Sequence, residues 1–203
     1  RAHPLTPMHD ANLLRVLQPQ TLQRVGLVPQ EGYLFTASLA DNLRYGEPEA
    51  PLERVREAAR QARLDGDIKG FPDGYDTLVG ERGITLSGGQ RQRTALGRAL
   101  LVQTPLLVLD DALASVDNTT AAEILRSIRE ERSRLESSDQ TDGRTILMIS
   151  HQLSAAAACD RILVMDGGRL VQQGHHNELV QQSGTYRRLW EREQAEQQLS
   201  TAA

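Results

Sequence analysis

The sequence predicts an α/β protein with a mostly parallel sheet, and three observations carry this prediction. Short continuous apolar runs, such as Leu106–Leu109, alternate with helical patterns along the chain. Strands of this kind are typical of parallel sheets that helices cover on both faces. With 203 residues, of which 39% are apolar and 25% charged, the chain is long enough to bury one sizeable core.

The first third of the chain predicts one strand and two helices. Thr21–Val28 is typical of a short strand. Ser38–Arg44 predicts a short helix, which Thr36 or Ser38 can cap. Pro51–Leu64 predicts a longer helix, because its apolar residues recur on one face while Arg and Glu fill the other.

The middle of the chain predicts a turn-rich segment, then a helix and a strand. Turn residues dominate positions 66–83. The turn Ser87-Gly88-Gly89 opens a helical pattern over Gln90–Val102, and Pro105 ends it before the strand Leu106–Asp110.

The last third again alternates strands with helices. Asn118 is the expected N-cap of a helix over Thr119–Leu135, and residues 136–143 predict a loop. Asp166-Gly167-Gly168 indicates a tight turn between two strands. The remaining predicted elements are a strand at Thr145–Ser150, a helix after His151, strands at Arg161–Met165 and Arg169–Gln173, and helices near His176–Gln182 and Thr185–Gln197.

Composition excludes several classes of protein. A net charge of −4 gives no electrostatic reason to expect a nucleic acid partner. The single cysteine, Cys159, excludes an internal disulfide. No apolar stretch reaches the length of about 18 residues that a membrane-spanning helix needs. The chain starts at Arg1 without clear periodicity, which we expect of the cut end of a longer polypeptide.

Two segments carry residues suited to phosphate chemistry. Ser87, Gly88 and Gly89 stand where backbone N–H groups, a hydroxyl and the positive end of a helix can face an anion. Asp110 ends a buried strand, where a carboxylate can hold Mg²⁺ beside a nucleotide. Each segment also has a plainer interpretation, since Ser-Gly-Gly occurs in ordinary turns and an acid at a strand end is often only solvated.

In order and spacing these segments resemble the ATP-binding cassette of ABC transporters. The matching residues are Leu86–Gln90, the helix that follows them and the acid-tipped strand. The family's phosphate-binding motif, Gly-x-x-x-x-Gly-Lys-[Ser/Thr], is absent from the sequence, whose only lysine is Lys69. The resemblance covers roughly residues 22–193. It implies that residues 1–203 form a single incomplete domain: part of a P-loop NTPase core with a helical subdomain, about residues 36–103, inserted in it.

The resemblance assigns expected roles to the residues around the nucleotide. The signature residues Ser87, Gly88, Gly89 and Gln90 would contact the γ-phosphate of an ATP that a second, facing domain holds. Asp110 takes the position of the Walker B aspartate, which binds Mg²⁺.

Asp111 stands where the family usually has the glutamate that orients or deprotonates the attacking water. Aspartate is one methylene shorter, so its carboxylate retreats by about an ångström, and a displacement of that size can cost on the order of 100-fold in rate. In the family that the chain resembles, asymmetric heterodimeric exporters carry such a replacement at their weakly hydrolysing site.

Three further positions match family motifs. Gln30 resembles the Q-loop glutamine, which couples the bound Mg²⁺ and water to movement of the membrane domains. His151, directly after the strand at Thr145–Ser150, matches the switch histidine that contacts the γ-phosphate. Asp117 matches the D-loop aspartate, although the preceding Ala114-Ser115 is reversed relative to the usual order.

The segment Thr77–Gly83 resembles the stretch before the signature that contacts the coupling helices of exporters. Glu81 is its candidate coupling residue, although an acid in a loop can also be merely solvated. This segment favours an exporter over an importer.

The leading hypothesis is therefore the nucleotide-binding domain of an ABC exporter, with ATP and Mg²⁺ as ligands. A second nucleotide-binding domain and the transmembrane domains would be its partners, at the cytoplasmic face of the cell membrane. Without the phosphate-binding motif, the chain alone is expected to bind ATP poorly.

Two alternatives stay open. The chain could be a non-catalytic subunit that lends residues 87–90 to a partner's ATP site, which Asp111 mildly supports. It could instead be a soluble ABC-type ATPase of DNA repair or chromosome maintenance. Those proteins insert long coiled coils between the Q-loop and the signature, whereas here residues 31–85, only 55 positions, separate them and contain no heptad run.

Overall fold

The computed structural model describes residues 24–80, 84–136 and 144–201. Two compact units divide them, one within residues 24–151 and the other within residues 152–201. In chain order the strands are β1 (Val25–Val28), β2 (Ala37–Ser38), β3 (Leu78–Val79), β4 (Leu106–Asp110), β5 (Thr145–Ile149), β6 (Ile162–Asp166) and β7 (Arg169–Gly174). The α-helices are α1 (Leu39–Arg44), α2 (Leu52–Gln61), α3 (Asp65–Ile68), α4 (Gly88–Leu101), α5 (Asn118–Glu136), α6 (Leu153–Ala157), α7 (His176–Leu179) and α8 (Thr185–Thr201).

A three-stranded parallel sheet forms the centre of the first unit. Its strand order is β1-β4-β5, so the strand that ends in Asp110 lies in the middle. Since all three strands run in one direction, their carboxyl ends share one edge, where ligands of open α/β sheets bind. The α/β class with a mostly parallel sheet is confirmed.

The two faces of this sheet differ. Leu107 and Leu109 of β4 are buried on one face. On the other face Leu27 and Leu147, which flank Val108 in register, are exposed. The expectation of helices on both faces is therefore wrong for the described part of the chain, where only one face is covered.

The helices around α4 share a separate apolar core. The buried residues are Leu39, Leu43, Ala50, Val55, Ala58, Ala59, Leu64, Ile68, Val79, Leu86 and Leu101. Helix α4 packs against both α1 and α2. A Cβ added to Gly97 would lie 2.8 Å from the Cδ2 atom of Leu43, a side chain with no exposed surface.

Replacing Gly97 with valine is expected to lower the free energy of unfolding by about 1–3 kcal/mol, because the added methyl groups overpack the contact with the buried Leu43 side chain. Chemical denaturation monitored by circular dichroism measures the change. Gly66→Val is the matched control, since a Cβ at Gly66 meets no atom within 4 Å. Equal stability of the two variants would contradict the close packing of α1 on α4.

Within residues 66–83, predicted as turns, the described part contains some regular structure. Helix α3 reaches Ile68, residues Gly74–Asp76 form a 3-10 turn, and β3 pairs antiparallel with β2. Each of these elements has four residues or fewer, so no hydrophobic period could reveal it. The backbone N–H of Leu39 donates to the carbonyl of Thr77 at 3.0 Å, which fixes this segment against the start of α1.

The second unit is built on the predicted hairpin. Strands β6 and β7 pair antiparallel, and Gly167 and Gly168 adopt φ values of 54° and 72° in the turn, as the tight-turn prediction requires. Ile162, Val164, Leu179 and Tyr186 form its buried core. Burial raises the pKa of the Tyr186 hydroxyl to about 12.

Candidate functional site

The turn at Ser87 is a capped helix start. The Ser87 hydroxyl accepts the N–H of Gln90 at 3.2 Å, and the Gln90 side-chain oxygen accepts the N–H of Ser87 at 2.9 Å. This reciprocal pair is a capping box, and it makes Ser87 the N-cap of the 14-residue helix α4. The backbone N–H groups of Gly88 and Gly89 have no partner among the described residues, so they are available to an anion.

A cluster next to this turn holds it in place, and sequence reasoning did not identify it. The carboxylate of Asp67 accepts from the Gln90 amide at 2.9 Å and forms an ion pair with Arg93 at 2.9 Å. Arg93 also donates to the carbonyl of Arg63. The polar groups of the Gln90 side chain therefore bond within the chain, where they position the turn. Asp67 lies 23 residues from Gln90, and a single sequence carries no signal for such a pairing.

An open concavity of about 400 Å³ lies beside the turn. Its lining residues are Ser87, Gly88, Gly89, Arg93, Ser115, Val116 and Asp117. The structure thus brings the segment after β4 to the start of α4. Three of the four predicted signature residues and the predicted aspartate Asp117 line this one surface.

Gly89 permits the close approach of these two segments. A Cβ at Gly89 would lie 2.8 Å from the backbone oxygen of Ser115, whereas a Cβ at Gly88 would meet the Ser115 side chain at 3.5 Å, an ordinary contact. Gly89 is therefore required by the backbone beside it, while Gly88 is not.

Gly89→Ala is expected to lower the free energy of unfolding by about 1–3 kcal/mol, because the Ser115 backbone must shift to admit the methyl group. Gly88→Ala, the matched control, is expected to be neutral or slightly stabilising, since alanine favours the first turn of a helix. Thermal denaturation compares the two. If Gly88→Ala proved the more harmful, the packing of Ser115 on Gly89 would be refuted.

Asp117 caps the next helix. Its carboxylate accepts the N–H of Thr120 at 2.9 Å, and this bond lowers the pKa of Asp117. Helix α5 begins at Asn118, so the prediction of Asn118 as N-cap is wrong by one position. Asp117, the residue before it, accepts the free N–H of Thr120 instead.

The carboxyl edge of the parallel sheet gathers the other predicted residues. Asp110 is the last residue of β4 and is exposed, and it lies in register with Ile149 of β5. Gln30 follows β1 by two residues and His151 follows β5 by two, so both stand at the same edge. Both side chains are exposed.

Asp111 connects two of these chain segments. Its N–H donates to the carbonyl of Ile149 at 2.9 Å, and its carboxylate accepts from the Gln30 amide at 3.4 Å. Asp111 has a φ of 47°, in the left-handed region that aspartate tolerates better than most residues. The turn after β4 therefore presents its carboxylate toward Gln30.

The donor set at this edge fits Mg²⁺ bound together with a nucleotide. Among residues 24–80, 84–136 and 144–201, no group of three or more His, Cys, Asp or Glu side chains is placed to hold a metal ion. Mg²⁺ usually takes one or two carboxylates, and phosphate oxygens and water complete its octahedron. Exposed Asp110 and the amide oxygen of Gln30 are oxygen donors of this kind.

Glu81 and the two residues after it lie outside the described residues, so the structure does not place the candidate coupling residue. The described part of that segment, up to Gly80, includes β3. Among the helices that the structure describes, none combines the length and the apolar character needed to span a membrane.

Comparison with known proteins shows the family of the chain. The ABC transporter family model matches residues 8–114, more than half of the chain. The chain is 40% identical over 194 residues to the multidrug resistance-like ATP-binding protein MdlA of Escherichia coli (strain K12), covering 96% of this chain and 31% of that protein. It is 41% identical over 170 residues to the probable multidrug resistance ABC transporter ATP-binding/permease protein YheI of Bacillus subtilis (strain 168), covering 84% of this chain and 28% of that protein.

A solved structure is also similar. A bacterial Atm1-family ABC exporter with ATP bound has a TM-score of 0.74 and 38% sequence identity, over 86% of this chain and 29% of that one. The chain thus spans less than a third of the length of each of these relatives. The resemblance to the exporter-type ATP-binding cassette is confirmed, and the chain belongs to the ABC transporter family.

Proposed function

We propose that the chain is part of the ATP-binding subunit of an ABC exporter, which couples ATP binding and hydrolysis to transport across a membrane. Within it, residues 36–103 would form the helical subdomain, and the subunit would act at the cytoplasmic face. A second nucleotide-binding domain and the transmembrane domains of the exporter would be its partners. The observation that carries this proposal is the concavity in which the Ser87 turn and the segment Ser115–Asp117 lie side by side.

In this proposal the concavity receives the terminal phosphate of an ATP that the second domain holds. The N–H groups of Gly88 and Gly89 point toward the anion, and the Ser87 hydroxyl borders it. The positive end of α4 adds a favourable field. Gln90 acts by holding the turn through its bonds to Ser87 and Asp67.

The residues at the carboxyl edge of the sheet would act on an ATP that this subunit itself binds. Asp110 and Gln30 would hold Mg²⁺, which neutralises phosphate charge when bound. Asp111 would orient a water and accept its proton as the water oxygen bonds to the γ-phosphorus and the bond to the ADP oxygen breaks. His151 would contact the γ-phosphate, and Asp117 would meet the second domain.

The second candidate is a non-catalytic subunit, which contributes its signature turn, residues 87–90, to a partner's ATP site and does not hydrolyse ATP itself. The identity of Asp111 favours it, because the carboxylate of aspartate reaches about an ångström less far than that of glutamate. The two candidates differ in the effect of Asp111→Asn on hydrolysis: a loss supports the catalytic role, and no change supports the lending role.

The affinity for MgATP tests the shared-site proposal. The 203-residue chain contains no Gly-x-x-x-x-Gly-Lys-[Ser/Thr] motif, whose amides and lysine supply most of the cradle for a triphosphate. A calorimetric titration of this chain alone is expected to show weak binding, and addition of a domain that carries the motif is expected to create a tight site. Micromolar affinity of the chain alone would refute the proposal.

A further inference from the structure

The side chain of Gln92 connects two loops of the site. Gln92 lies on α4 and is only 6% exposed. Its amide nitrogen donates to the backbone oxygen of Gln30 at 3.2 Å, and its amide oxygen accepts the backbone N–H of Ser115 at 2.8 Å. Because the backbone oxygen can only accept and the backbone N–H can only donate, the orientation of the amide is fixed.

Both loops that Gln92 contacts carry predicted site residues. The Gln30 carbonyl belongs to the segment after β1, and the side-chain amide of Gln30 donates to the Asp111 carboxylate. Ser115 belongs to the segment after β4, which lines the concavity up to Asp117. Gln92 itself lies on α4, little more than one helical turn after the N-cap Ser87. One buried side chain therefore joins three motifs.

The neighbouring contacts fasten the segment after β1 along the same helix. A Cβ at Gly32 would lie 2.9 Å from the Cβ of Ala95, and Arg98 donates to the carbonyl of Tyr33 at 3.1 Å. Gln92, Ala95 and Arg98 recur at intervals of three residues, so they lie along one side of α4. Residues 30–33 consequently follow this helix rather than extending freely into solvent.

A buried amide in this position has a cost that an apolar residue would avoid. Leu96 and Leu100, one and two turns further along α4, are buried leucines. Burial of a polar side chain is favourable only while its hydrogen bonds are formed, and each bond then restrains its partner. At Gln92 the partners are loop backbone atoms, which no helix or sheet ladder holds.

We propose that Gln92 is a positioning residue that keeps Gln30 and Ser115 in a fixed relation to the signature turn. A displacement of the segment after β1 is thereby transmitted through the Gln92 amide to the Ser115 edge of the concavity. This inference rests on the proposed function for its consequence in catalysis, but the mechanical link itself can be tested without nucleotide.

Hydrogen–deuterium exchange of the protein at its full natural length tests the link. Gln92→Met keeps the volume and removes both bonds, so exchange in residues 31–35 and 112–117 is expected to become about fivefold to tenfold faster. Gln92→Glu keeps an acceptor for Ser115 but loses the donor to Gln30. Exchange is therefore expected to accelerate in residues 31–35 alone.

The exposed Gln103 supplies matched controls, since Gln103→Met and Gln103→Glu make the same changes outside the site. These variants are expected to exchange like the unmodified protein. Unchanged exchange in both loops of Gln92→Met, or equal acceleration of both loops in Gln92→Glu, would overturn the link whether or not the protein hydrolyses ATP.

The separate effects on kcat and on KM test the catalytic consequence. For Gln92→Met, kcat of ATP hydrolysis is expected to fall roughly tenfold with little change in KM for ATP, because Gln30 and Ser115 lose their fixed positions. Gln103→Met is expected to change neither constant. An unchanged kcat for Gln92→Met, or a loss of kcat/KM that comes from KM alone, would overturn the positioning role, while the exchange result would still decide the link.

Discussion

Replacing Asp110 with asparagine is expected to reduce ATP hydrolysis by the proposed exporter about 10²- to 10³-fold. Asp110 is exposed at the carboxyl end of the central strand, where we propose that its carboxylate binds Mg²⁺. Asparagine keeps the size and one oxygen but removes the charge that attracts the cation. Steady-state hydrolysis over a range of Mg²⁺ concentrations measures the effect, and partial recovery at high Mg²⁺ is expected.

Asp166→Asn is the matched control for this prediction. Asp166 also ends an apolar strand, β6, and is exposed, but it leads into the hairpin turn. Its replacement is expected to leave hydrolysis unchanged. An Asp110→Asn variant as active as Asp166→Asn would remove the metal role from Asp110.

Replacing Ser87 with arginine is expected to lower ATP hydrolysis by a similar factor, about 10²- to 10³-fold, at the site that the Ser87 turn is proposed to share with a second domain. The long side chain would enter the concavity where the terminal phosphate is proposed to lie. Arginine also removes the N-cap, which costs about 1 kcal/mol of stability. Ser87→Asp separates the two effects, because aspartate caps the helix equally well while its charge repels phosphate. Hydrolysis is expected to be lost in both variants, but stability only in Ser87→Arg.

Ser183→Arg controls for the introduction of arginine before a helix. Ser183 precedes Gly184 and the start of α8 and is exposed, so this variant is expected to retain full activity. If Ser87→Asp hydrolysed ATP normally, the Ser87 turn would not contact the phosphate. If it were inactive only because it was unfolded, the denaturation curve would show that directly.

The central elements of the fold could be predicted because each has a strong local signal. The run Leu106–Asp110 and the turn before α4 were recognisable from a few residues, and their order along the chain indicated the family. The pair of strands β2 and β3 could not be predicted, since two residues carry no period. The exposure of Leu27 and Leu147 within the described part of the chain was missed, because apolar content alone does not say which side of a strand is packed.

The candidate site was predicted only in part, because motifs reveal residues that are close in sequence and not contacts between residues far apart along the chain. Motif spacing predicted roles for Ser87, Asp110 and Asp117; the structure places Ser87 and Asp117 at the concavity and Asp110 at the end of β4, and their roles stay predictions. Asp67 and Gln92 were missed, because their partners lie 23 and 62 residues away along the chain. Gln92 alone had a weak signal, as a polar residue on the same side of α4 as Leu96 and Leu100.

The most direct measurement uses an ATP analogue with a photoreactive group on its γ-phosphate. After irradiation of the assembled exporter, trypsin releases the peptide Gly83–Arg91, and mass spectrometry shows whether it is labelled. The proposal predicts label on this peptide only when a domain with the phosphate-binding motif is present, and none in Ser87→Asp. Label confined to that other domain, with the peptide around Ser87 unmodified, would contradict the shared site.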